Sequence, residues 1–183
     1  MATPSKQKSS LIRKKEFYAY YAGLFDGEGT VYIYRQDWNK YKDKEWFRNR
    51  KSNSSPSYRL SVKITNTNKD CLEFIQKRLG GTIYAYKDRR SSLGKTQYTW
   101  NIYANNALRL LSKMLPYLII KEEQAKVAIK FQMRKQSEDI GGNIKLTEEQ
   151  LQWREKQRLL IKELNRAAAT TNHQDSENGE VIV

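Results

Sequence analysis

The sequence predicts an α+β domain, an antiparallel β-sheet with helices packed on one of its faces. Three observations carry that prediction. Segments of helical and strand periodicity follow one another in the order α-β-β-α-β-β-α-α, with a further helix behind them. The strand segments alternate apolar and polar residues, as half-buried strands do. The clearest sets Tyr58, Leu60, Val62 and Ile64 against Ser57, Arg59, Ser61 and Lys63. The helical segments also carry stop and start residues, such as Gly80-Gly81 and the pair Thr147 and Gln150.

The first helix is expected over residues 14–26. Ala19, Gly23 and Gly27 recur every four residues and so share one helical face. Each glycine costs a helix about 1 kcal/mol relative to alanine. Two on one face point to the close approach of another helix, the logic of small-residue seams. The helix should stop at Gly27-Glu28-Gly29. Residues 30–35 alternate Val31 and Ile33 against Tyr32 and Tyr34, which predicts a half-buried strand. A long structureless connection over residues 36–56 then precedes the strand over residues 58–65. Basic and aromatic residues interleave in that connection, and Arg48 and Arg50 lie within it.

Asn68 is expected to cap a helix over residues 69–79. Residues 82–87 and 97–103 form a second strand pair. In the latter, Tyr98, Trp100 and Ile102 point inward, and Gln97, Thr99 and Asn101 point outward. Asn105 or Asn106 should cap a helix through Met114, and Pro116 should open another from Tyr117 to about Lys135. Thr147-x-x-Gln150 is a capping box for a last helix to about Arg166. The organisation expected is a basic flexible arm (1–13), a core (14–135), a C-terminal loop and helix (136–166) and a disordered tail (167–183).

Composition narrows the function classes. The chain has 183 residues, 34 Lys and Arg, 20 Asp and Glu, and a net charge of +14. That excess favours a polyanionic partner, nucleic acid before membrane. A single cysteine, Cys71, excludes a disulfide framework and fits a reducing, intracellular setting. No apolar run is long enough to span a bilayer, and no signal-peptide core is present. The lone histidine, His173, lies in the tail, which argues against His-dependent nucleases and most zinc sites. No Asp/Glu-x-Lys triplet occurs, so the restriction-enzyme core pattern is missing too. The outward sheet face carries Tyr34, Arg59, Lys63, Gln97, Thr99 and Asn101, a set suited to lying in a DNA major groove. Taken alone, that face reads first as a plain solvated surface.

Tyr21-Ala22-Gly23-Leu24-Phe25-Asp26-Gly27-Glu28-Gly29 resembles the LAGLIDADG motif of homing endonucleases along its whole length. Ala22, Gly23, Leu24, Asp26 and Gly29 are identical to the motif, and Phe25 and Glu28 are conservative replacements. The element order is also that of the LAGLIDADG fold, αββαββα with an antiparallel DNA-binding sheet and here additional C-terminal helices. One motif copy and no internal repeat imply the homodimeric type, with Ala19, Gly23 and Gly27 at the dimer seam.

The resemblance also implies a chemistry. It expects Mg²⁺ at Glu28, with the Gly27 carbonyl as an additional ligand and no organic cofactor. Hard Mg²⁺ needs only one or two protein carboxylates when phosphates and waters complete its shell. Asp26 is expected to be structural. Pro116-Tyr117-Leu118-Ile119-Ile120-Lys121 is similar to a Pro-aromatic-Leu-x-x-Lys stretch whose lysine lies beside the scissile phosphate, which makes Lys121 catalytic. Asn66 matches a Gln or Asn of the nucleophilic water network, or else serves the turn before Asn68. Where some relatives carry a basic residue, this chain has Asp70.

Candidate DNA-binding residues are Tyr32, Tyr34, Gln36, Arg48 and Arg50 from the first strand and the connection after it. Arg59, Ser61 and Lys63 follow on the second strand; Tyr86, Asp88, Gln97, Thr99 and Asn101 on the later pair; and Lys145 near the last helix. The function implied is Mg²⁺-dependent cleavage of both strands of a long, nearly palindromic site in double-stranded DNA, which spreads a host intron. An RNA-binding intron maturase and a DNA-binding regulator without cleavage share the fold, and Glu28 retained beside Lys121 argues against both. The compartment expected is an organelle, chloroplast or mitochondrion, or bacterial or phage cytoplasm.

Overall fold

The computed structural model describes residues 14–41, 43–48, 55–87, 96–139 and 145–177. The chain opens on helix α1, Lys14–Glu28, and passes without a linker into strand β1, Gly29–Gln36. The helix thus runs two residues past its expected end and takes in Glu28 itself. Gly29 makes the direct passage possible. A Cβ there would fall 2.1 Å from the ring of Phe25, which is wholly buried under the turn.

The connection after β1 is not structureless. It holds a 3-10 turn, Trp38–Tyr41, and a short helix α2, Glu45–Arg48, whose Phe47 is buried. An aromatic anchor explains why this segment takes shape where composition alone suggested a loop. Strand β2, Ser57–Asn66, buries Tyr58, Leu60, Val62 and Ile64 as its alternation required. Helix α3, Lys69–Leu79, begins on Asn68, whose side chain accepts the Cys71 amide at 3.1 Å. It stops at Gly80 and Gly81, both at positive φ. A Cβ on Gly81 would fall 2.5 Å from the Asn101 carbonyl oxygen, so glycine lets this turn lie against the next sheet strand.

Strands β3, Thr82–Lys87, and β4, Thr96–Tyr103, complete one antiparallel sheet of order β1-β2-β4-β3. Val31, Val62 and Ile102 align across it, as do Ile64, Trp100 and Ile83. Trp100 is wholly buried; its indole N–H donates to the Gly80 carbonyl at 2.8 Å and its ring meets Tyr21 of α1 edge-on at 5.9 Å. These contacts fix α1 against the middle of the sheet.

Two helix starts differ from the sequence expectation. Helix α4, Ala104–Met114, begins directly at the end of β4, with Ala104 at φ 49° and no side-chain cap. Neither Asn105 nor Asn106 caps it. Asn105 accepts the buried Gln132 amide at 2.9 Å, a tertiary partner, and Asn106 accepts Arg109 one turn along the same helix, so both side chains are engaged elsewhere. Pro116 opens only a 3-10 turn, Leu115–Tyr117; the chain then extends at Leu118, and helix α5, Glu122–Glu138, starts five residues later than Tyr117. The cause lies in α1, whose Asp26 captures the amides of Ile119 and Lys121.

Helix α6, Glu148–Glu177, starts on the expected capping box: the Gln150 amide donates to Thr147 Oγ1 at 3.2 Å and the Thr147 amide to Gln150 Oε1 at 2.9 Å. It continues through eleven residues of the expected tail, 167–177, where Ala167, Ala168 and Ala169 favour helix. Residues 1–13 and 178–183 lie outside the described residues. Arg154 is buried between Glu138 at 2.9 Å and Asp139 at 2.7 Å, and Trp153 stacks on Phe131, which clamps α6 to α5. Asn165 donates to the Val31 carbonyl at 2.8 Å, so α6 also covers the edge strand β1. None of the described helices is long and apolar enough to cross a membrane.

Candidate functional site

The site forms where α1 runs out. Its last turn contains no basic residue, while its unpaired carbonyls carry the negative end of the helix dipole. Asp26 and Glu28 add two carboxylates there, and they have different fates. Asp26 is buried, and both its oxygens are occupied: Oδ2 accepts the Ile119 amide at 2.8 Å and Oδ1 the Lys121 amide at 3.0 Å. Glu28 is exposed and takes part in no hydrogen bond or ion pair among the described residues.

Lys121 answers the charge of this helix end. Its ammonium donates to the Asp26 carbonyl and feels both Asp26 and Glu28. Burial lowers its pKa more than those two carboxylates raise it, so the amine is held below its ordinary value. A half-buried lysine, a free carboxylate and the carbonyls of a helix end therefore meet within one turn. Among the described residues, no group of three or more His, Cys, Asp and Glu could hold a metal by itself. Hard oxygen donors such as Glu28 and the Gly27 carbonyl fit Mg²⁺, provided that the remaining ligands come from outside the chain.

Asn66 ends β2 near this place, because β2 pairs with β1 as far as Gly29 opposite Ile64. Its side-chain oxygen accepts the Asn68 amide at 2.8 Å, so in this structure it serves the turn into α3. Asp70 lies exposed in the first turn of α3.

The α1 face bearing Ala19, Gly23 and Gly27 is exposed along its length. A Cβ added at Gly23 or Gly27 would meet nothing within 4 Å. Nothing among the described residues therefore requires glycine at either position.

The sheet face away from the helices carries most of the residues the sequence named. By register, Tyr32, Tyr34 and Gln36 of β1 lie beside Arg59, Ser61 and Lys63 of β2. Gln97, Thr99 and Asn101 of β4 and Tyr86 of β3 continue the same face. Several are tied to neighbours: Tyr34 donates to Gln36 at 2.7 Å, Tyr86 donates to Gln97 at 2.6 Å, and Thr99 pairs with Thr65 at 2.9 Å. Ser61 and Asn101 share the face but not its exposure; Ser61 is wholly covered and Asn101 nearly so. Ser61 is therefore corrected from an open contact residue to a floor position. Lys145 is exposed just before α6, next to Leu146, whose amide donates to Ser55. Arg48 closes α2, and Arg50 and Asp88 lie outside the described residues.

The sequence reading missed Tyr84, Tyr103, Thr65 and Thr82 on this face. Tyr84 is 52 % exposed, and Tyr103 carries the Arg59 guanidinium at 4.5 Å from its ring centroid. The same alternation that selected Tyr86 and Gln97 contains all four. Burial raises the Tyr103 phenol above its ordinary pKa, with Tyr32 and Tyr84 adding to the effect.

A family model described as LAGLIDADG endonuclease matches residues 21–124. No curated protein sequence matches the chain. The fold is similar to that of the homing endonuclease I-CvuI in complex with the I-CreI target in the presence of Mg, with its DNA not cleaved. The TM-score is 0.57 at 19 % identity, covering 91 % of this chain and 96 % of that one. It is similar also to the archaeal intron-encoded homing endonuclease I-Vdi141I complexed with DNA, with TM-score 0.60, 15 % identity and coverage of 89 % and 99 %. The meganuclease I-SmaMI, bound to uncleavable DNA, gives TM-score 0.54 at 20 % identity over 77 % of this chain and 43 % of that one. At such identities these structures speak for the fold, and the family match, which spans the second half of α1, the whole sheet and the Lys121 loop, speaks for descent. The chain belongs to the LAGLIDADG endonuclease family.

Proposed function

We propose that this protein is a homing endonuclease that works as a homodimer. It makes a double-strand break in a long, nearly palindromic DNA site by Mg²⁺-dependent phosphodiester hydrolysis and so promotes the mobility of an intron. The observation that carries this reading is the pairing of an uncommitted Glu28 with a half-buried Lys121 at the open end of α1. A structural role for α1 needs neither residue in that state.

In this reading each chain offers one carboxylate, Glu28, and the Gly27 carbonyl to the metal. Bound Mg²⁺ would neutralise phosphate charge and lower the pKa of water. Lys121 holds positive charge beside the scissile phosphate, where a low-dielectric position makes it count for more than in water. Asn66 lies at the end of β2 next to this helix end and orients water once its turn contact is shared. The bare Ala19-Gly23-Gly27 face supports a second copy of the chain packed there, which brings two Glu28 side chains together. The polar outer sheet face of each copy then follows one half of the DNA site.

The test is cleavage of the intronless insertion site by the purified protein with Mg²⁺, wild type against Glu28→Gln. The variant keeps the side-chain shape and loses the charge. Binding should persist while cleavage falls by orders of magnitude; near-normal cleavage would remove Glu28 from the active site. Binding without any wild-type cleavage would leave a DNA- or RNA-binding protein on the same fold.

A further inference from the structure

The centre of the outer sheet face is built around one small, buried side chain. Ser61 has Tyr32 directly across on β1 and Tyr103 directly across on β4. It is wholly buried, and its hydroxyl has no hydrogen-bond partner among the described residues. One step to either side along β2, on the same face, stand Arg59 and Lys63. The Arg59 guanidinium lies 4.5 Å from the Tyr103 ring centroid, and the Lys63 ammonium 5.5 Å from that of Tyr32. Both pairs are diagonal cross-strand neighbours. Neither cation forms an ion pair among the described residues.

Long cationic side chains on an open strand ordinarily sample many rotamers, and holding them still costs conformational entropy on binding. Here each cation rests on an aromatic face, which favours one direction without neutralising the charge. We infer that Tyr103 and Tyr32 are positioning residues for DNA readout: their rings hold Arg59 and Lys63 in preset directions above the sheet, and Ser61 is the small floor that lets the rings close in. The inference rests on the proposed reading of this face as the DNA-binding one. It adds Tyr103 to the residues of this face and gives Tyr32 a role through the cation it carries.

The test measures binding specificity rather than cleavage. Selection from a randomised duplex library defines the wild-type preference, and Arg59→Ala identifies the base pairs that depend on Arg59. Tyr103→Phe keeps the ring and should keep the preference. Tyr103→Leu should lower discrimination at those same base pairs roughly three- to fivefold, the size of one exposed cation–π contact, and should add nothing in an Arg59→Ala background. Ser61→Ala should change nothing, whereas Ser61→Gln should disturb the preferences of both cations. Unchanged discrimination in Tyr103→Leu would overturn the inference, as would an equal loss at every position in both backgrounds. Tyr32→Leu with Lys63→Ala supplies the same test independently, should Tyr103→Leu fail to fold. If Arg59→Ala and Lys63→Ala both leave the preference intact, the DNA-binding assignment of the face falls and takes this inference with it. If they alter it and the tyrosine variants do not, only the inference falls.

Discussion

Asp26 grips Lys121 at two points across 95 residues of sequence, and Ile119 beside it at a third. One carboxylate oxygen accepts the Lys121 amide, the other accepts the Ile119 amide, and the Asp26 carbonyl accepts the lysine ammonium. One acid of the motif therefore builds the loop that presents the lysine, and the other is left free beside it. The division of labour explains why two acids lie two residues apart on a helix end.

This relationship predicts a coupled loss. Asp26→Ala leaves two part-buried amides without their acceptor, at up to about 1–3 kcal/mol for a stranded group. Denaturant melts should show destabilisation of that order. Where the variant remains folded, cleavage should fall further than DNA affinity, because Lys121 loses its seat. A variant as stable and as active as wild type would refute the clamp.

Lys121 itself should act on the chemical step. Lys121→Met should slow single-turnover cleavage and leave DNA affinity within a few-fold; the reverse pattern would mark a phosphate-positioning residue. Its lowered pKa adds a pH signature. Between that value and 10.5 the unfolded chain binds more protons here than the folded one, so this group's contribution to stability rises with pH across the window. Below the window it is a full cost, because the folded state holds a desolvated charge. The stability difference between wild type and Lys121→Met should therefore move in favour of wild type as pH climbs through the window. A difference that is flat or moves the other way would show that burial does not govern this amine.

Gly23 gives a clean test of assembly. Its Cβ position is open in the single chain, so Gly23→Leu costs the fold of one copy no contact. Light scattering should report a dimer for wild type and a monomer or aggregate for the variant, with the secondary structure retained. A wild-type protein that stays monomeric, free and on DNA, would contradict the seam.

Much of this was legible in the residues. The alternation in β2 located its buried face, Asn68 and Thr147 located two helix starts, and the spacing of Ala19, Gly23 and Gly27 marked a face the chain leaves bare. What escaped depended on partners distant in sequence. Pro116 carries an ordinary helix-start signal, and nothing local reveals that Asp26 will pull the chain out of helix at Leu118. Asn105 looks like a cap until Gln132 claims it. Ser61 alternates correctly and is buried all the same, because the tyrosines flanking it on both neighbouring strands are large enough to cover it.

The segment between β1 and β2 supplies the last prediction. Its 3-10 turn and short helix, with Phe47 buried beneath, give it a defined base. The described part of the connection sets the backbone of Arg48, at the end of α2, relative to the sheet, and Arg50 follows two residues later in the sequence. If the segment reads the outer part of the DNA site, Arg48→Ala or Arg50→Ala should relax preference at particular outer base pairs, each good bidentate contact being worth about 1–3 kcal/mol. If it supplies only charge, either variant should weaken all sequences alike and flatten the salt dependence of binding. Phe47→Ala separates the two further. Losing the anchor should blur the outer-position preference of a reader segment, because α2 is no longer held in place, and should leave a purely electrostatic segment nearly unaffected. Profiling cleavage across a library of outer-position variants decides the matter: a preference profile unchanged in all three mutants would sink the readout role.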